Sequence, residues 1–416
     1  MDFVRNAKER PIAIIGAGGV GKPCAADCKL AGREVRLWDF PEFAPVMLKN
    51  VEKSGIRLSG PQTNLLMFER SGKAFMDMVT DDLAKAVKGA GLVVVTIVAM
   101  GHEKLFRQLI PLLEDGQVVS IIPDNYGAFL LRKMMREIKC GKNVIVGGWG
   151  TSPYGARCLK KGGVQTNDVN IIDRVCLMRG GALPSKDNDV FMEAAGRHFP
   201  PFDPVVFAEN GDDFGFQMAD TILDVSLSNV NPVIHVPGAI LGAAAMQNFE
   251  LFGKPKQNYS LYAHGLCPAI ADVQIDFWKE TFAVAKAAGT TIAPVDLGDF
   301  HARSSIYGPE YMGKGYRVPF TEDYRYKQEP YGDGPFTLEN RYVTEDVPIG
   351  CYLISQFGKK FGVETPIVDS MITLANSMLK RDLVAQTGYS LEYLGVGHMN
   401  REQLNLWMRE GVYTEA

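Results

Sequence analysis

Apolar positions follow two rhythms along this chain, and the rhythm changes near residue 200. Before it, short runs apolar on both faces (IAII at 12–15, GLVVVTIVAM at 91–100, QVVSIIPD at 117–124, NVIVGG at 143–148) alternate with segments of helical period such as HEKLFRQLIPLL. Strands buried on both faces and separated by helices predict a parallel sheet. NIIDRVCLMRGGALPSKD is expected to add strand material that closes this first domain. Beyond it, FGFQMADTILDVSLSNV, AILGAAAMQNF, PAIADVQIDFWKETFAVAKAAG and PIVDSMITLANSMLK carry helical spacing with few strand candidates. HFPPFDPVV at 198–206, with three prolines, is the expected junction, giving a sheet domain over 1–200 and a mainly α-helical domain over 201–416. A polar, glycine-rich interval at 292–340 interrupts the second domain and is read as a substrate-side loop or a set of short helices.

Composition narrows the class. At 416 residues, 46% apolar and 22% charged, the chain has the balance of a globular protein larger than one core usually organises. The formal net charge is -4 with no basic block, so neither nucleic acid nor an anionic membrane is an expected partner. MDFVRNAKERPIAIIG lacks the order of a secretory leader and reads as a short free arm. The longest apolar runs are too short to span a bilayer. Seven cysteines without paired short spacing argue against a disulfide framework or a zinc knuckle and for the cytoplasm. No cluster has metal-ligand spacing, so no metal is expected.

The first motif that carries chemistry is PIAIIGAGGVGKPCAADCKLAGREVRLWD at 11–39: strand, GxGxxG, helix, strand. Gly16 permits the tight turn, Gly18 lets a diphosphate approach the backbone, and Gly21 lets helix and strand pack closely. With Gly19 and Val20 between them, these residues are the expected cradle of a dinucleotide at a helix N-terminus. The fold class is accordingly α/β, an N-terminal Rossmann-type parallel-sheet domain followed by a mainly α-helical C-terminal domain. Asp39 ends the second strand, where a carboxylate accepts from ribose hydroxyls and repels a 2'-phosphate; NAD is favoured over NADP. FAD shares the fingerprint, but no second ADP-contacting pattern accompanies it. Lys22 is read as solvent-facing or a minor phosphate contact. His102, past the 91–100 strand, is read either as a nicotinamide-side residue or as exposed at a helix start.

The second motif is NVNPVIHVPGAI at 229–240, which sets His235 between two prolines, as if pinned at a helix break. A satisfied core histidine and a catalytic acid/base both fit such a place. ENRYVTEDVPIG at 339–350 supplies Arg341, a planar fork for a carboxylate, and Asp346, able to fix a histidine tautomer. Asn231 fits a helix cap or a substrate hydrogen bond. Tyr154 and Arg157 line a cleft or pack at its rim; His264, Asp272, Asp276 and Glu280 face a ligand amine or water. His198 and His301 have no evident partner.

GAGGVG at 16–21, PYGARC at 153–158, ALP at 182–184, NPVIHVPG at 231–238, RYVTEDVP at 341–348 and GVETPIVD at 362–369 together resemble the opine dehydrogenases, the octopine and nopaline dehydrogenase family. The resemblance runs from about residue 11 to 396, and its helical-domain motifs are the more specific part. It implies an NAD(H)-dependent enzyme that condenses a 2-oxo acid with an amino acid reductively, or oxidises the secondary amine in reverse. It places the catalytic histidine on His235, its partner on Asp346 and the oxo-acid carboxylate on Arg341. Small-molecule substrates and a monomer or homodimer are expected. The same residues fit a second reading, an NAD-dependent dehydrogenase acting on the CH–OH group of a hydroxy acid or polyol acid. A third, a nucleotide-binding protein without turnover, belongs to another class. A requirement for an amine separates the first two, and loss of turnover on changing His235 separates both from the third.

Overall fold

Ile12–Ile15 (β1) has every side chain buried, which requires strands on both edges and cover on both faces. In a computed structural model that describes residues 2–59, 70–161, 164–175, 177–209, 215–292 and 334–415, it has both. The other strands are Val35–Trp38 (β2), Ile56–Ser59 (β3), Gly72–Ala74 (β4), Met78–Thr80 (β5), Leu92–Val95 (β6) and Val118–Ile121 (β7). Ile145–Trp149 (β8), Tyr154–Lys161 (β9), Val164–Arg174 (β10), Leu177–Ala182 (β11) and Gly215–Met218 (β12) follow. An eight-stranded sheet has the order β12-β11-β8-β7-β6-β1-β2-β5, parallel except where β11 meets β8. A second sheet, β4-β3-β10-β9, takes the NIIDR part of the segment expected to close the first domain, while its LMRGGA part is β11 of the main sheet.

The chain divides into two compact units, Met1–Ser226 with Leu406–Val412, and Leu227–Asn405 with Tyr413–Ala416. The division falls at Ser226, not near 200, because β12 lies beyond the proline-rich stretch and pairs in parallel with β11. FGFQM, read above as the start of a helix, is therefore mostly strand, and the helix begins at Ile222. The N-terminal arm is not free either. Phe3–Glu9 is a helix capped by Asp2, and the Asn6 side chain donates to the Gly116 carbonyl at 3.0 Å. Arg33 fastens the same part of the helix by donating to the Ala7 carbonyl.

In the second unit the helices Asn231–Leu241, Pro268–Ala288, Tyr352–Phe361 and Pro366–Leu379 pack on one another. Pro268 and Pro366 open two of them, where a missing N–H costs nothing, and Gly289, at φ +90°, ends the longest. Most of the 292–340 interval, residues 293–333, lies outside the described residues, as does His301. Among the described residues no helix is long and apolar enough to cross a membrane.

Candidate active site

At the carboxyl end of β1 the sheet order turns, with β2 and β5 to one side and β6, β7 and β8 to the other. This is where an open α/β sheet leaves a crevice. Gly16 has φ +114°, and a Cβ on Gly21 would lie 1.7 Å from its carbonyl oxygen, so neither position tolerates a side chain. The Thr96 hydroxyl donates to that carbonyl at 2.9 Å and locks the turn from β6. Gly18 and Gly19 face open space, with nothing within 4 Å of where a Cβ would be. The helix Gly21–Leu30 starts there; the Lys22 and Cys24 N–H groups already donate to the Gly18 and Val20 carbonyls at 3.1 Å and Pro23 has no N–H, so the cradle is the backbone of the turn before the helix. Asp39 is 6% exposed; its carboxylate accepts from the Ala17 and Phe40 N–H groups, both at 2.8 Å. Burial pushes its pKa up, against those two hydrogen bonds. A carboxylate has about four acceptor sites, so two remain for ribose hydroxyls. Gly16, Gly18, Gly19, Val20, Gly21 and Asp39 thus form a cradle that fits the ADP half of a dinucleotide.

For three neighbouring residues the structure narrows the two readings each was given. Lys22 is buried and donates to the Asn167 side chain at 3.0 Å; burial lowers its pKa, and it is not solvent-facing. His102 is 1% exposed, pairs its Nε2 with the Ile97 carbonyl at 3.1 Å and stacks on Phe106. Burial drives its pKa down to about 4, so it is neutral and internal, not exposed at a helix start. Tyr154 donates to the buried carboxylate of Asp27 at 2.6 Å, which also takes Arg174 at 2.8 Å and Arg70 at 2.7 Å. It ties the helix Gly21–Leu30 to the second sheet.

The helical unit builds its site around His235. This residue lies inside the helix Asn231–Leu241, not at a break; Pro237 sits within the same helix and offers no N–H to the Val233 carbonyl. The imidazole is 4% exposed. Its Nδ1 meets Asp346 Oδ2 at 2.8 Å and its Nε2 meets the Tyr262 hydroxyl at 2.8 Å. Tyr342 stacks on the ring, centroids 3.6 Å apart and planes at 12°. An ionised carboxylate only accepts, so Nδ1 carries a proton, and in the neutral ring Nε2 is the acceptor facing Tyr262.

Two close approaches bring these groups together from distant parts of the chain. One turn before His235, Pro232 lies so near Gly350 that a Cβ there would come within 2.2 Å of the ring; this seats the π-turn Asp346–Cys351. One turn after it, a Cβ on Gly238 would meet Leu266 at 2.9 Å and Leu261 at 3.2 Å, so glycine admits the π-turn Leu261–Gly265 that carries Tyr262. Such turns are uncommon and concentrate at functional sites. Asn340 caps the turn Arg341–Thr344 by accepting from the Tyr342 N–H at 3.2 Å, which fixes the stacked ring.

Arg341 is exposed, and among the described residues no hydrogen bond or ion pair of its guanidinium is seen. Asn231 is half-buried and does not cap its helix; Asn229 accepts from the Asn231 N–H at 3.0 Å instead. The other candidates make structural contacts or face solvent. His264 Nδ1 accepts from the Ser260 N–H at 3.0 Å, and Glu280 accepts from the Ile367 and Val368 N–H groups at the start of the Pro366 helix. Asp276 is exposed beside Lys279, Asp272 is exposed, and His198 lies 3.4 Å from Glu193. Arg157 donates to the Ala156 carbonyl. Sequence reasoning missed Tyr262, Tyr342 and Thr96. Tyr342 adjoins Arg341 and was within reach; nothing in LYAHGL marks Tyr262, because a π-turn has no sequence signature.

Residues 218–379 match the family model described as NAD/NADP octopine/nopaline dehydrogenase, alpha-helical domain. The chain is 26% identical over 392 residues to an opine dehydrogenase of Arthrobacter sp. (strain 1C), covering 94% of this chain and 96% of that protein. It is 24% identical over 330 residues to a tauropine dehydrogenase of Arabella iricolor, covering 73% and 75%. Among solved structures, octopine dehydrogenase in complex with NADH and agmatine superposes with a TM-score of 0.64 at 18% identity, over 94% of this chain and 99% of that one.

Proposed function

We propose that this chain, which belongs to the opine dehydrogenase family, takes the CH–NH route: an NAD(H)-dependent enzyme that condenses a 2-oxo acid with an amino acid reductively, or oxidises the resulting secondary amine. The observation that carries the reading is the buried His235, held at Nδ1 by Asp346 and engaged at Nε2 by a hydroxyl, on a motif matched by the family model. A core histidine needs one satisfied nitrogen; one braced by a carboxylate and stacked on an aromatic face is built to gain and lose a proton.

The roles follow from the chemistry of each side chain. Gly16, Gly18, Gly19, Val20, Gly21 and Asp39 would hold the NAD(H), whose nicotinamide supplies the hydride that reduces the imine carbon. Arg341, exposed and without a hydrogen-bond or ion-pair partner for its guanidinium among the described residues, offers two parallel N–H donors to the carboxylate of the oxo acid. Asn231 directs an amide towards the substrate from the first turn of the His235 helix. His235 acts as acid and base while the carbonyl oxygen leaves as water, and Asp346 keeps its Nδ1 protonated and its ring aimed. Tyr342, face to face with the ring, favours the imidazolium when it forms. We place the enzyme in the cytoplasm, where the six described cysteines remain free thiols, as a monomer or homodimer with no nucleic-acid partner.

The test is NADH consumption with a panel of 2-oxo acids, each with and without a panel of amino acids. Turnover that needs both substrates, and falls roughly 100-fold or more in His235→Asn, is the expected result. Turnover on an oxo acid alone would make the enzyme a CH–OH dehydrogenase.

A further inference from the structure

His235 as folded has no free ring nitrogen to offer a substrate. Nδ1 is committed to Asp346 and Nε2, which has a single in-plane lone pair, to the Tyr262 hydroxyl, both at 2.8 Å. Tyr342 covers one face of the ring at 3.6 Å. His235 is 4% and Asp346 8% exposed, whereas Tyr262 is half-buried, so the tyrosine is the member of the chain Asp346–His235–Tyr262 that is open to the surroundings. Tyr262 is not there by default, since Gly238 must lack a side chain for its π-turn to come this close.

We propose that Tyr262 relays the proton between His235 and the substrate, so that its hydroxyl, and not the imidazole, meets the oxygen that leaves. The inference rests on the reductive-condensation reading above. A hydroxyl donates and accepts at once, so it passes a proton on without a lasting change in its own charge. In the dehydration step the C–O bond of the carbinolamine breaks as the amine lone pair forms C=N. The departing hydroxyl takes the proton of Tyr262 and leaves as water, while the phenol oxygen takes the proton from His235 Nε2. The imidazolium ends neutral, its Nδ1–H still on Asp346, and the positive charge resides on the iminium nitrogen. In the oxidative direction the same protons run back.

The experiment compares wild type, Tyr262→Phe and His235→Asn on the oxo-acid and amino-acid pair that turns over best, alongside NADH affinity by fluorescence and thermal melting. The relay predicts that Tyr262→Phe lowers kcat roughly 100-fold, while KM for the oxo acid and NADH affinity stay within about threefold and the protein melts as wild type does. It predicts in addition that 3-fluorotyrosine at position 262 moves the alkaline limb of the kcat profile down with the acidity of the phenol, a response that packing alone would not give. A Tyr262→Phe enzyme with kcat within threefold of wild type, or faster, overturns the relay and makes the tyrosine a group displaced by substrate; so does an alkaline limb that ignores the fluorine. If wild type binds NADH but no pair turns over, the reductive-condensation reading itself has failed and the relay falls with it. An active wild type with an active Tyr262→Phe sinks the relay alone.

Discussion

His235 in the helical unit and His102 in the sheet unit are 4% and 1% exposed, and they differ in what meets their nitrogens. His102 has a backbone carbonyl on Nε2 and, among the described residues, no hydrogen-bond partner on Nδ1; burial outweighs that one hydrogen bond and takes its pKa down to about 4. His235 has a carboxylate on one nitrogen, a hydroxyl on the other and an aromatic face beneath. Burial alone makes a histidine inert. Burial with an anionic partner fixes its tautomer, and the charge in that difference comes from Asp346 and the turn that presents it.

The sharpest way to break the comparison is to remove that charge and keep the shape. In Asp346→Asn the amide can donate to Nδ1 and leave Nε2 protonated, the wrong tautomer for a ring that must accept there. We expect kcat to fall roughly a thousandfold, about 4 kcal/mol of barrier, with KM changed little. The double variant with His235→Asn should be no worse than the weaker single, because the two act as a unit. Steady-state kinetics on the best substrate pair measures both; a loss below tenfold in Asp346→Asn would mean the carboxylate does not set the tautomer.

The two sites were not equally legible in the chain. The dinucleotide cradle is made of backbone, and backbone requirements print directly as residue types: Gly16 for its positive φ, Gly21 for the missing Cβ, Asp39 at the end of a strand. The His235 site is made of side chains 111 and 27 positions away, joined by close approaches at Gly350 and Gly238 that leave no periodic trace. Local pattern gave His235, Asp346 and Arg341 as separate suspects and a family resemblance grouped them; neither gave Tyr262. The domain division shows the same limit. Three prolines near 200 are a strong local signal, but β12 pairs with β11 across them, and a parallel strand is identified by its partner and not by its own four residues.

Removing the inert partner of the comparison sharpens it. The folded pKa of His102, about 4, lies below its ordinary 6.5, so its contribution to stability is complete above 6.5 and is lost as pH falls towards 4. The loss is roughly 3 kcal/mol by linkage. His102→Leu, which keeps the site apolar and removes the titration, should flatten the acid side of the stability profile by that amount. Denaturant unfolding of the two proteins at pH 7 and at pH 4.5 tests it, and parallel profiles would refute it.

Asp124 supplies the opposite sign in the same unit. Its carboxyl is fully buried at the end of β7, accepts from the Ser226 hydroxyl at 2.7 Å and the Ala128 N–H at 3.0 Å, and has its pKa raised by burial to about 6 from an ordinary 3.8. A raised folded pKa means that the contribution is complete below 3.8 and is lost as pH rises through about 6. Asp124→Asn keeps an oxygen for Ala128 and offers an N–H to Ser226, so the variant should gain on wild type as pH rises from 4 to 7, by up to roughly 3 kcal/mol less whatever the new amide loses in fit. Between about pH 4 and 6.5 the two groups therefore offset each other: His102 costs stability as acid is added and Asp124 restores it. Wild type should look nearly flat there while each single variant slopes, in opposite directions, and the double variant is flat again. A double variant that keeps a slope would place the remaining titration in another buried group.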